Sequence, residues 1–119
     1  MDAPYRRHVF VCTSGAWCKE QGGEAVHKEM KRLVKEAGLA AEVRVNKAGC
    51  LDQCGHGPMA VVYPESVWYG GLDAAAAARI VEEHLRAGAP VEACRYRPAR
   101  PGANKTAAVK AAEAREKGL

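Results

Sequence analysis

The sequence has no long apolar run, and no stretch approaches the roughly 20 apolar residues that a membrane-spanning helix requires. Its opening residues, MDAPYRRHVF, hold two arginines but neither an apolar central region nor a small-residue cleavage site. They therefore do not predict a secretory signal, and we expect a cytoplasmic protein without a membrane partner. In that reducing compartment, five cysteines indicate metal ligands or catalytic thiols before disulfides.

The spacing C-x2-C is also absent, which bears on two classes of cysteine site. Structural zinc sites commonly use that tight spacing, and a redox dithiol enzyme needs it at the beginning of a helix. Five residues separate Cys12 from Cys18, and three separate Cys50 from Cys54. A zinc site is therefore less favoured without being excluded. A thiol enzyme with Cys12 or Cys18 as its nucleophile becomes the weakest hypothesis.

Length and composition predict one ordinary globular domain followed by a different tail. The 119 residues are 48% hydrophobic and 27% charged, which suffices for a core without disulfides. Residues 95–119 hold seven basic and two acidic side chains, a net charge of +5, whereas residues 1–94 hold eleven and twelve. We predict a domain over 1–94 and a basic Pro/Ala/Lys-rich tail over 95–119. Docking of the tail to an acidic partner or nucleic acid stays open, but a solubilising extension is the simpler interpretation, and we expect no nucleic-acid binding.

The first half of the domain predicts a strand, a helix and a second strand. Residues 7–12 are β-branched and aromatic, as in a strand. A helix begins near Glu24 and ends at Gly38, and residues 41–46 alternate apolar and charged side chains. Strands joined by such a helix should be parallel, with a right-handed connection. The inward face of the helix consists of Val26, Met30, Leu33 and Val34.

The second half predicts a hairpin and a second helix. Residues 59–71 hold two apolar runs around Pro-Glu-Ser, which is typical of an antiparallel hairpin. Asp73 is a suitable N-cap for an alanine-rich helix that ends at Gly88. The inward stripe of this helix consists of Ile80, Val81, His84 and Leu85.

The order β-α-β-β-β-α predicts an α/β fold of the thioredoxin-like type. Its mixed four-stranded sheet should have the helices packed against it, and the hairpin strands should be antiparallel neighbours. Pro58 stands just before the third strand, where such folds often carry a cis-proline. The trans bond is nonetheless the commoner state of any X-Pro bond.

The two cysteine pairs should meet at one edge of this sheet. Cys12 ends the first strand and Cys50 closely follows the second, so parallel neighbouring strands bring both to the C-terminal edge, where ligands gather. Four thiolates at that edge can hold a tetrahedral zinc ion or an iron–sulfur cluster. Nearby glycines leave room and let backbone N–H groups approach sulfur, which favours a cluster. These glycines are Gly15, Gly49, Gly55 and Gly57.

Other candidate residues carry weaker signals. Cys94 follows the last helix and is most simply structural or a free thiol. His56 stands two residues after Cys54 and could ligate iron, but it is more simply a surface or packing residue. Trp17, Trp68 and Tyr69 could cover a cluster or a dimer surface, although hairpin packing is the simpler interpretation for Trp68 and Tyr69.

Two segments resemble a known family. HVFVC at 8–12 and GCLDQCGHGPMAVVYPESVWYGGL at 49–72 resemble the thioredoxin-like [2Fe-2S] ferredoxins, and the second segment is specific. The resemblance covers about residues 7–94. It implies that one [2Fe-2S] cluster per chain is held by Cys12, Cys18, Cys50 and Cys54. The loop between the first two of these is often longer in the family, and Cys18 is the cysteine it contains here.

The resemblance also implies a function. It points to a homodimer that carries single electrons at low potential between redox partner proteins, a reductase or an electron acceptor, and not to an enzyme. The basic tail has no counterpart in the family pattern. The competing hypothesis is a structural zinc-binding module that uses the same four cysteines.

Overall fold

The computed structural model describes residues 4–13, 22–48, 58–98 and 101–102. The strands are β1 at Arg7–Cys12, β2 at Val43–Ala48, β3 at Ala60–Tyr63 and β4 at Val67–Tyr69. Helix α1 spans Gly23–Glu36, and α2 spans Ala74–Arg79 and continues as a π-helix over Ile80–Arg86. A short 3-10 turn follows at Glu92–Cys94. No helix in these ranges combines the length and apolarity that crossing a membrane would take.

The four strands form one mixed sheet in the order β2-β1-β3-β4. β1 lies parallel to β2 and antiparallel to β3, and β3 lies antiparallel to β4. This confirms the predicted element order and the thioredoxin-like mixed sheet. β2 begins two residues later than predicted because the N–H groups of Glu42 and Val43 both donate to the carbonyl of Leu39, at 3.0 and 2.9 Å. That turn occupies the residues before Val43.

Alternation along the strands turns one face of the sheet toward both helices. Val9 and Val11 of β1 are fully buried against them, while the residues between point to the other face. Burying one such side chain contributes about 1.5–3 kcal/mol. The inward face of the second helix is confirmed, since Ile80, Val81, His84 and Leu85 are all buried. The first helix buries Val26, Met30 and Val34 as predicted, whereas Leu33 is only partly buried against the core.

The second helix begins as predicted and ends with a feature that the sequence did not indicate. The side chain of Asp73 accepts a hydrogen bond from the Ala76 N–H at 2.8 Å, as an N-cap does. The last two turns widen to a π-helix while all four predicted inward residues stay buried. Gly88 ends the helix with φ +81°, and a Cβ there would lie 3.1 Å from the Arg7 guanidinium.

A tight turn joins β3 to β4. The bond between Tyr63 and Pro64 is cis, and Ser66 has φ 57°. The bond before Pro58 involves Gly57, which lies outside the described residues, so the expectation for that proline stays a prediction.

Candidate metal centre

Cys12 is held from both sides at the C-terminal edge of the sheet. Its N–H donates to the carbonyl of Met59 at 2.9 Å, and its register partner on β2 is Ala48. The next N–H along the chain, that of Thr13, donates to the Ala48 carbonyl at 3.2 Å. Cys12 is 1% exposed, so its thiol sits in a fixed and nearly dry position.

The segment that carries Cys50 and Cys54 starts and finishes beside Cys12. Ala48 precedes it and Met59 follows it, and both contact Cys12 through the backbone pairing just described. Cys50 is two residues beyond Ala48, and two residues of chain span at most about 7 Å. The anchored ends are therefore compatible with a site that Cys12 shares with both of these cysteines.

Only one of the predicted ligands lies in the part of the chain that the structure describes. Cys18, Cys50 and Cys54 fall outside it, as does His56, so the ligand set stays a prediction. Within the described ranges, no three His, Cys, Asp or Glu side chains come together to hold a metal ion. Cys12 is the described residue around which the candidate centre can be built.

Cys94 packs in a different cluster of side chains from Cys12. It is half-buried at the end of the 3-10 turn and packs against the main core. Its carbonyl accepts a hydrogen bond from the Gly70 N–H at 3.0 Å. Cys94 is a free cysteine in the structure, and both expectations for it, a structural residue or a free thiol, stay open.

Apolar side chains surround Cys12. Met59 is 1% exposed and forms a small cluster with Cys12, against which the half-buried Trp68 and Tyr96 pack. Burial raises the pKa of Tyr96, which keeps its phenol protonated. Trp68 thus contacts the candidate centre in addition to its place in the hairpin.

Tyr96 is the residue of this site that sequence reasoning missed. It falls in the predicted tail, yet its N–H donates to the Trp68 carbonyl at 2.7 Å, and Arg95 forms an antiparallel bridge with Tyr69. The available signal was a lone aromatic residue within RYRPARPG. The boundary between residues 94 and 95 stays a prediction, with Arg95 and Tyr96 both paired to β4.

A network of hydrogen-bonded polar side chains passes through the core. The Tyr69 hydroxyl accepts from the Val91 N–H at 3.0 Å and donates to Nδ1 of the fully buried His84 at 2.7 Å. Nε2 of His84 donates to Glu65, which also accepts from Arg7 Nε at 3.1 Å. The tautomer with the proton on Nε2 is assigned because it satisfies every partner. Burial raises the pKa of Tyr69, so its hydroxyl remains a donor.

Acid should weaken this network through Glu65. Partial burial by itself would raise the pKa of Glu65, but hydrogen bonds from His84 and Arg7 outweigh it and lower the pKa below 4.5. A carboxylate with a lowered folded pKa stabilises the fold above its unfolded value and loses that contribution as pH falls through the folded value. We expect the Tm of the unaltered chain to fall below about pH 4.5 more steeply than that of Glu65→Gln, which keeps an acceptor that does not titrate.

Thermal unfolding from about pH 7 to about pH 3 measures this difference. Glu82→Gln, on the exposed face of the second helix, is the matched control and should follow the unaltered chain. If the Tm of Glu65→Gln fell with pH as steeply as that of the unaltered chain, the result would contradict a lowered pKa of Glu65 in the folded protein.

Comparison with known proteins gives relatives in both sequence and structure, although no protein-family model matches the chain. The chain is 38% identical over 94 residues to a 2Fe-2S ferredoxin of Clostridium pasteurianum, covering 73% of this chain and 92% of that one. It is 34% identical over 94 residues to a 2Fe-2S ferredoxin of Aquifex aeolicus, covering 72% and 85%. The crystal structure of the wild-type thioredoxin-like [2Fe-2S] ferredoxin from Aquifex aeolicus matches with a TM-score of 0.72 and 31% identity, over 80% of this chain and 99% of that one.

Proposed function

The chain belongs to the thioredoxin-like [2Fe-2S] ferredoxin family, and from this premise we propose that it carries single electrons between redox partner proteins. The role is that of an electron carrier and not of an enzyme. The observation that supports it most directly is the position of Cys12, a buried thiol against which both ends of the Cys50 and Cys54 segment are anchored.

The donor set fits a [2Fe-2S] cluster, one per chain. Such clusters are held by four cysteine thiolates, and we propose Cys12, Cys18, Cys50 and Cys54 for this role. The bound cluster supplies the one-electron chemistry. Cys12 contributes a ligand on a backbone fixed by two neighbouring strands, so its position changes little between oxidation states. Met59 keeps water from the buried side of that ligand.

The partner protein should dock where the proposed ligands come nearest to the surface of the chain. We propose that residues 13–18 and 51–57, which follow Cys12 and Cys50 and include Cys18 and Cys54, provide this docking surface. The electron donor and acceptor are redox proteins. Each must bind so that its own redox centre lies close to these segments.

A visible absorption spectrum of anaerobically purified protein, with iron and sulfide counted on the same sample, tests the proposed function. We expect a red-brown protein that bleaches with dithionite and holds two irons and two sulfides per chain. A colourless protein with one zinc per chain would instead indicate the structural clamp. A colourless protein without metal that fails reconstitution would favour the thiol hypothesis.

Assembly and location complete the proposal. We propose a homodimer on the strength of the family resemblance. Sedimentation equilibrium of the purified protein measures its mass, and a monomer at all concentrations would contradict the proposal.

We also propose residence in the cytoplasm, where reduced thiols stay available for cluster assembly.

A further inference from the structure

Trp68 and Tyr96 lie against the side-chain pair that includes Cys12, the proposed ligand that the structure describes. Both rings pack against the pair formed by Cys12 and Met59, each of which is 1% exposed. We propose that these two rings form an aromatic cover that keeps water from the Cys12 side of the cluster and thereby lowers its reduction potential. The inference rests on the proposed function. It assigns the exclusion of water from the cluster to two residues that are not ligands.

Strand alternation places the cover and the thiol on the same face of the sheet. Val11 of β1 points into the core beneath the helices, so Cys12, the next residue, points to the opposite face. Val67 and Tyr69 of β4 likewise belong to the core, so Trp68 between them also points to the opposite face. The cover therefore lies on the face of the sheet that does not meet the two helices.

Backbone pairing holds Tyr96 in position. Its N–H donates to the carbonyl of Trp68 at 2.7 Å, and the Gly70 N–H donates to the carbonyl of Cys94 at 3.0 Å. These two bonds make residues 94–96 a short continuation of the sheet beyond β4. The ring of Tyr96 is thus presented from a fixed backbone and not from a loose tail.

The electrostatic reason follows from the change in charge on reduction. A redox partner protein supplies one electron, so the reduced site carries one more negative charge than the oxidised site. Water stabilises the more highly charged form more strongly, and solvent exposure is one of the factors that set the potential of such clusters. Rings that exclude water therefore favour the oxidised form.

The test compares Tyr96→Ala with Tyr96→Phe, which keeps the ring, and with Tyr63→Ala, which removes a tyrosine that is 40% exposed on β3. Each holoprotein is brought to the same solution potential with mediators, and its reduced and oxidised fractions are read from the visible spectrum. We expect the ratio of reduced to oxidised protein to be several-fold higher in Tyr96→Ala. Tyr96→Phe and Tyr63→Ala should match the unaltered chain.

A second variant keeps the test decisive if Tyr96→Ala folds poorly. Tyr96→Leu retains an apolar contact but uncovers part of the Cys12 and Met59 pair, so its ratio should lie between those of Tyr96→Ala and the unaltered chain. A merely structural role would lower the iron content without moving the ratio for the clusters that remain. An unchanged ratio in the Tyr96→Leu holoprotein would overturn the inference.

Failure of the inference and failure of the proposed function give different observations. If the unaltered chain holds no iron and sulfide, the proposed function fails, and the cover fails with it. If the unaltered chain holds a full cluster and the Tyr96 variants have the same ratio of reduced to oxidised protein as the unaltered chain, only the inference about the aromatic cover is wrong.

Discussion

Replacing Cys12 by alanine is expected to remove most of the iron and sulfide from the purified protein while the sheet still forms. Alanine supplies no ligand, whereas a serine oxygen could still coordinate iron, so alanine is the sharper substitution. The backbone bonds from Cys12 to Met59 and from Thr13 to Ala48 do not depend on the thiol and should persist. Iron, sulfide and visible absorbance measure the loss, and far-UV circular dichroism reports whether the fold remains.

The same experiment on the other cysteines tests the full ligand assignment. Cys18→Ala, Cys50→Ala and Cys54→Ala should each lose cluster as Cys12→Ala does, because a [2Fe-2S] cluster with three thiolates lacks one of its ligands. Cys94→Ala is the matched control, since Cys94 packs against the main core and Cys12 belongs to a separate cluster with Met59. Full colour and iron in any of the first three would remove that cysteine from the proposed set, and loss of cluster in Cys94→Ala would bring Cys94 into it.

Tyr69→Phe should lower the free energy of unfolding by about 2–4 kcal/mol, the second large effect that we expect. The change removes one oxygen from a fully buried ring and leaves two groups without their partner, the Val91 N–H and Nδ1 of His84. An unsatisfied buried polar group costs about 1–3 kcal/mol. Because domains of this size are stable by only about 5–15 kcal/mol, the loss should be plain in chemical denaturation.

Tyr63→Phe is the matched control, since Tyr63 is exposed and should change stability little. The iron content of both variants must match that of the unaltered chain, because a bound cluster stabilises the folded state. Equal effects of Tyr69→Phe and Tyr63→Phe would show that the buried hydroxyl contributes nothing.

Local patterns predicted the parts of this fold that depend on near neighbours. The 3.6-residue period of α1 and the Asp73 cap each involve residues within one or two turns, so composition and spacing suffice to identify them. The parallel pairing of β1 with β2 followed from the helix that connects them, and it gave the edge position of Cys12.

The features that sequence reasoning missed depend on distant residues. Tyr69, His84 and Glu65 meet only because the hairpin and the second helix pack together, and no period relates their positions. Tyr96 pairs with Trp68 across 28 positions of chain, from a segment without a strand pattern of its own. Such partners become visible only once the sheet has brought them together.

The anchoring of residues 48 and 59 on either side of Cys12 has a consequence for how the cluster is assembled. Because the strands fix both residues, we expect the conformational entropy of gathering the proposed ligands Cys50 and Cys54 to be lost largely during folding and not during metal binding. We therefore expect the chain to fold before it binds its cluster, in contrast to zinc fingers, which fold only around their metal. Weakening the pairing of β1 with β2 or β3 should therefore reduce cluster affinity even where every cysteine is retained.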